Sequence, residues 1–108
     1  MKALFALLSF SIAVVLLSSG CIVTSGQADI QSAIEKCQAK CYEVMQTATD
    51  VSKGPCLSDS IINDWACDMV NNPRYHIDDL PENQCPGLGT TAHHFVEVNE
   101  NCRVVRVV

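Results

Sequence analysis

Seven cysteines, three histidines and twelve acids are the residues of this chain that could do chemistry. Cys37 and Cys41 stand four apart, as C-x-x-x-C, and Cys56, Cys67, Cys85 and Cys102 follow at wide spacing. A redox pair or thiol nucleophile needs a free cysteine beside a base or at a helix N-terminus. Cys37 and Cys41 instead fall mid-helix, so structural bridges explain them better. His93 and His94 are adjacent, and adjacent residues of a regular strand point to opposite faces. One metal site could therefore take only one of them. A set of His94, His76 and one of Asp78, Asp79 or Glu82 would suit zinc or another transition metal. No H-x-x-x-H or C-x-x-C spacing supports that set. The acids of Asp78-Asp79-Leu80-Pro81-Glu82-Asn83 lack the D-x-D-x-D-G pattern of calcium loops. Solvated loop acids are the better reading, and no cofactor is expected.

These groups must be positioned by a few elements, of which a helix over 27–49 is the clearest. Ile30, Ala33, Ile34, Cys37, Cys41, Val44, Met45 and Ala48 recur at spacings of three and four, along one stripe of a 3.6-residue period. Ser25, or the Gln27–Asp29 stretch, can cap its start, with Asp29 near the positive end of the dipole. The run from Asp50 to Gly54-Pro55 stops it. The two helix cysteines lie on the buried stripe, one turn apart, with Cβ atoms about 5–6 Å apart. A disulfide brings Cβ atoms to about 3.8 Å, so the pair should not bond to each other.

Further along, Gly54 to Asp59 reads as a turn carrying Cys56. The stretch Ile61 to Val70 fits either a helix or a strand beginning at Trp65. The strand places Trp65, Cys67 and Met69 on one face and Ala66, Asp68 and Val70 on the other. A cysteine that must reach a core bridge favours the strand. From Arg74 to Thr91 the chain is irregular, with Pro81, Pro86, Gly87 and Gly89, a length uncommon in a small domain unless functional or stapled. Cys85 supplies the staple, and Tyr75, Ile77 and Leu80 are expected to hold this loop to the core. His93–Val98 and Cys102–Val107, separated by Asn99-Glu100-Asn101, form a hairpin signal. A three-residue loop would set Val98 against Cys102, Val96 against Val104 and His94 against Arg106. Phe95 would face Val105, and Glu97 would face Arg103 as a favourable cross-strand pair.

The start of the chain is different. Lys2 followed by the apolar run Ala3–Leu17 and the small residues Ser18-Ser19-Gly20 reads as a secretory signal peptide or an uncleaved membrane anchor over 1–20. Residues 21–28 form a short tether and 29–108 the stapled domain. Cys21 leaves an even number of cysteines behind it. Leu17-Ser18-Ser19-Gly20-Cys21 loosely resembles a prokaryotic lipoprotein box, which makes Cys21 a lipidation site. The competing reading cleaves at Gly26-Gln27-Ala28 and removes it. The six remaining cysteines suit three bridges in an oxidising compartment outside the cytoplasm. Six cysteines allow 15 connectivities. Cys102 is the expected partner of one helix cysteine and Cys56 of the other, which leaves Cys67 with Cys85.

Beyond Gly20 the bases are Lys36, Lys40, Lys53, Arg74, Arg103 and Arg106, six against twelve acids. With no basic run among them, nucleic acid and anionic lipid surfaces are excluded as partners. Membrane association would come through the N-terminal segment or a lipid. Gly54-Pro55-Cys56-Leu57-Ser58, Trp65-Ala66-Cys67-Asp68, Asn72-Pro73-Arg74, Asp79-Leu80-Pro81-Glu82-Asn83-Gln84-Cys85 and Ala92-His93-His94-Phe95-Val96-Glu97-Val98 together resemble a group of small exported archaeal proteins of unknown function. That resemblance implies an exported small domain and no catalytic residue. The expected fold is α+β: one N-terminal amphipathic helix on a small antiparallel sheet with a C-terminal β-hairpin, held by disulfides. The expected function is a non-enzymatic binding or structural module for an envelope or extracellular partner, with the 74–91 loop as contact surface. The alternative is a small metal-dependent or hydrolytic activity using His94, His76 and the loop acids.

Overall fold

A computed structural model describes residues 25–47 and 50–108. The signal or anchor expected over 1–20, and Cys21 with it, lie outside the described residues. Helix α1 runs Ser25–Thr47, and four strands follow: β1 (Cys56–Ile62), β2 (Asp64–Met69), β3 (Ala92–Val98) and β4 (Val104–Val107). They form one sheet in the order β1-β2-β3-β4, with short 3₁₀ turns at His76–Asp79 and Pro81–Asn83 between β2 and β3. Helix, sheet and three disulfides make the α+β, disulfide-rich fold that the sequence implies.

The stripe of α1 does what its period dictates. Ala33, Cys37 and Cys41 are fully buried against Leu57, Trp65, Cys67, Met69, Val96 and Val98 of the sheet. Ile34 and Val44 pack at the margin, whereas Ile30 and Met45 stay partly exposed. The helix begins at Ser25, so the tether residues 25–28 are already helical and Asp29 sits beyond the first turn.

Three expectations about the sheet change. First, Cys56–Ile62 is a strand rather than a turn, pairing antiparallel with β2 through a tight reversal at Asn63 and Asp64, the latter at φ 68°. Register shifts along β1 break its side-chain alternation, and as an edge strand it keeps the polar residues Ser58, Asp59 and Ser60. Second, the sheet is mixed: β2 and β3 run parallel, with Cys67 beside Val96 and Asp68 beside Glu97. Parallel neighbours need a crossover of a dozen or more residues, and the 71–91 passage supplies it. Third, the β3–β4 register differs, with Val96 opposite Val107, Glu97 opposite Arg106 and Val98 opposite Val104. The Asn99 carboxamide oxygen accepts from the Asn101 and Arg103 amides at 2.9 and 3.0 Å, and Cys102 turns left-handed at φ 59°. The connection therefore extends to Arg103, and a bulge beside Val98 shifts the strand again.

The disulfides join Cys37 to Cys67, Cys41 to Cys102 and Cys56 to Cys85. The helix cysteines do reach separate segments, and Cys102 takes one of them. The other goes to Cys67 rather than Cys56, because Cys67 lies on the helix-facing side of β2. Cys56 starts the neighbouring strand and faces the other side of the sheet, where Cys85 of the crossover and Phe95 of β3 lie.

Candidate functional site

The six described cysteines are all in bridges, which leaves no free thiol among the described residues. Cys56, Asp59 and Cys85 do converge, and among the described residues they are the one group of three metal-ligating side chains that does so. Their sulfurs are bonded to each other, and Asp59 accepts from the Gly87 amide at 2.8 Å. The cluster ties the crossover to β1.

The histidines behave unlike those of a regular strand. The register slips between the rungs Asp64↔Ala92 and Trp65↔His94, which places His93 in a bulge. Both rings then reach one carboxylate: His93 Nδ1 lies 2.5 Å from Asp64 Oδ1, and His94 Nε2 lies 3.8 Å from Oδ2. The His93 hydrogen bond holds the Asp64 carboxyl below its ordinary pKa. His94 also stacks on Trp65, with ring centroids 4.8 Å apart. Adjacency in sequence does not keep the two histidines apart here. Asp64 gives one sequence-level signal, its place in a short polar reversal.

The acids expected to join His94 are occupied elsewhere. Asp78 is fully buried and acts as an internal strut. Its Oδ1 accepts from the Asn71 backbone and side-chain amides, each at 3.0 Å, and its Oδ2 from the Tyr75 amide at 2.8 Å. Asp79 pairs with Arg74 at 2.8 Å. His76 and Glu82 are exposed. His94, His76, Asp78, Asp79 and Glu82 therefore do not assemble into one ligand set.

A pair of carboxylates that the sequence does not advertise sits on the crossover side of the sheet. Asp68 and Glu97 share a rung of the parallel pair, and both are buried. Glu97 is neutralised from two sides, by Arg74 at 3.0 Å and by Arg106 at 2.9 Å. It is not paired with Arg103, because the shifted register brings Arg106 opposite. Asp68 has no such partner, and its Oδ1 is buried without a hydrogen bond. Burial first, and the Glu97 charge second, push its pKa up to about 8. The Asp68 carboxyl is thus protonated at neutral pH. No cavity opens on the pair among the described clefts.

One cleft combines volume with chemistry. An open cleft of about 420 Å³ is lined by Asp50, Val51 and Ser52 after the helix, Asn71, Asn72 and Tyr75 at the start of the crossover, and Glu100 of the β3–β4 connection. Asp50 accepts from the Ser52 amide and hydroxyl at 2.9 and 2.6 Å, and these bonds hold its carboxyl low and charged. Asn71 Nδ2 bonds the Ser52 carbonyl at 2.9 Å, tying the two walls together. Tyr75 is 59% exposed, so it does not hold the loop to the core. Ile77 and Leu80 are half-buried and Asn83 donates to the Ile77 carbonyl within the loop, while the Cys56–Cys85 bridge and the Asp59–Gly87 bond fasten the passage to β1. The cleft joins segments nineteen and more residues apart, which the parallel crossover brings together.

Among the described residues, no helix is long and apolar enough to cross a membrane. Compared with protein-family models, curated proteins and solved structures, the chain matches none of them. Its class rests on its own geometry: a small disulfide-stapled α+β domain with a cleft beside Tyr75 among the described residues.

Proposed function

We propose that the protein is an exported, envelope-associated binding module whose recognition site is the Tyr75 cleft. The observation that carries this reading is an exposed aromatic ring on a fixed backbone. Tyr75 stands free, while its amide is locked to the buried Asp78 carboxylate. Such a ring offers contact area at little entropic cost. The ligand class follows from charge. Asp50 and Glu100 line the cleft beside the ring, with no lysine or arginine among the described lining residues. The chain beyond Gly20 carries six bases against twelve acids. An ammonium or guanidinium, as carried by a basic peptide side chain, fits an aromatic face flanked by carboxylates.

Three disulfides in a domain this small suit an extracellular setting. Export through the 1–20 segment, with anchoring by it or by a lipid on Cys21, would hold the domain on the outer side of the membrane. The resemblance to small exported archaeal proteins agrees with this placement.

Titration with N-acetyl-arginine amide and N-acetyl-lysine amide, followed by amide NMR, tests the reading. Shifts should concentrate at Asp50–Ser52, Asn71–Tyr75 and Glu100, and vanish in Tyr75→Ala. Shifts scattered over the surface, or unchanged in that variant, would reject the cleft. Shifts at the cleft with glucose but not with the cations would reject the ligand class alone.

A further inference from the structure

Strand β4 lies at the open edge of the sheet. All four of its residues are exposed, Val104, Val105 and Val107 among them, and Val108 beyond it is 52% exposed. Its inner side is fully used. Phe95 and Val108 exchange both backbone bonds at 3.0 Å. Val107, one residue earlier and opposite Val96, therefore directs its own N–H and C=O away from β3, toward the open edge. A valine-rich edge with free backbone groups is a template for another strand unless something covers it. Natural edges carry charge as a guard, yet the one charged side chain of β4 is already engaged. Arg106 is bonded to buried Glu97 at 2.9 Å and lies over the Phe95 ring, 5.1 Å from its centroid.

We infer that this edge is covered by β4 of a second copy of the chain, in a two-fold antiparallel pair that joins the two sheets into one. The sequence of the edge selects that occupant. Val104-Val105-Arg106-Val107-Val108 reads the same in both directions about Arg106. Antiparallel pairing centred there sets Val104 against the partner's Val108 and Val105 against the partner's Val107. Valine meets valine at every pair except the centre, and such apolar cross-strand pairs are favourable. The two Arg106 side chains meet at the axis, each with its own Glu97 as counter-ion. No acid stands on β4, so the two paired strands bring no carboxylates of their own opposite one another. A two-fold axis closes the assembly at two, so the contact does not propagate. The inference is independent of the Tyr75 cleft, none of whose lining residues lies on β4.

Sedimentation of the whole chain with its disulfides intact, in non-ionic detergent for the apolar N-terminal run, tests it. The expected result is a protein mass of twice one chain, falling to one chain on dilution. Val107→Pro removes the outward N–H and no β3–β4 bond, and should yield a monomer with an unchanged near-ultraviolet spectrum. Val105→Lys should do the same without altering the backbone, and serves if the proline variant fails to fold. Tyr42→Lys, on the exposed face of α1, should leave the dimer intact. A monomer at every concentration overturns the inference. So does a dimer that survives in a folded edge variant, or one that persists on a denaturing, non-reducing gel and so is linked through Cys21.

Discussion

Asp68 and Glu97 stand side by side on the parallel β2–β3 pair, both buried, yet only Glu97 meets cations. Two charges on one rung would repel in a medium of low dielectric. The chain resolves this by leaving a proton on Asp68, whose pKa rises to about 8 through burial and then the Glu97 charge.

Stability should therefore depend on pH in a defined direction. An unfolded aspartate ionises near pH 3.9. Between that value and about 8 the folded state holds a proton that the unfolded state has released. Raising the pH then favours unfolding, so the contribution is complete below the unfolded pKa and is lost as the pH rises through 8. Asp68→Asn keeps the shape without the titration. Its stability relative to the parent should grow by up to about 1.4 kcal/mol per pH unit over this window. Melting curves at pH 5, 7 and 9 measure it. Parallel pH profiles for the two proteins would show that Asp68 is ionised in the fold.

The Asp78 strut should matter more than any surface acid. Asp78→Ala leaves the Asn71 and Tyr75 amides without their acceptor inside the crossover. Each stranded amide costs about 1–3 kcal/mol, so the loss should exceed that of removing an exposed acid. Asp79→Ala breaks a half-exposed pair with Arg74 and should cost under about 1 kcal/mol. Denaturant midpoints compare them, and equal losses would contradict the strut.

Gly54 meets the same strut from the other side. It adopts φ +63°, and a Cβ there would press on Asp78 Oδ1 and lie 2.9 Å from the Met69 carbonyl oxygen. Gly54→Ala should thus destabilise by more than the roughly 1–2 kcal/mol strain of a left-handed alanine alone. Gly89 shares the left-handed backbone, at φ +84°, with nothing nearby. Gly89→Ala should show only the smaller conformational cost, and thermal melts of the two variants would separate crowding from backbone strain.

What the chain reveals in advance follows from how local each signal is. The period of α1 and the alternation of Trp65, Cys67 and Met69 are local, and the fold keeps the first at Ala33, Cys37 and Cys41 and the second at all three residues. So does the separation of Cys37 and Cys41, which depends only on helical rise. The parallel pairing of β2 with β3 has no local mark. It decides which cysteine faces the helix, that Asp68 meets Glu97, and that Asn71 and Tyr75 meet Asp50. Bulges hide the rest. The slip at His93 puts two consecutive histidines on Asp64, and the turn built on Asn99 moves Glu97 from Arg103 to Arg106. A side chain such as Asp78 reads as a solvated loop acid until the crossover folds around it.

The bridges should differ in what their loss releases. Cys37–Cys67 and Cys41–Cys102, one helical turn apart on α1, fasten it to β2 and to the β3–β4 connection, and the latter closes a separation of 61 residues. Cys56–Cys85 fastens only the crossover, to β1. Each is worth about 2–4 kcal/mol in the loop-entropy account, somewhat more for the longer loop. In a domain of this size a loss of that order is a large share of the total. The Cys41→Ala/Cys102→Ala variant should therefore melt globally at a much lower temperature. In Cys56→Ala/Cys85→Ala, by contrast, α1 stays bridged to the β2 and β3–β4 segments. Asp59 still holds Gly87, and Asp78 still holds Asn71 and Tyr75. Its amide exchange should accelerate chiefly within 80–91, while the protection of Ala33–Cys41 and Val96–Val98 changes far less. Exchange that rises uniformly over helix and sheet would show the crossover to be part of the same cooperative unit as α1, and not a separately opening one.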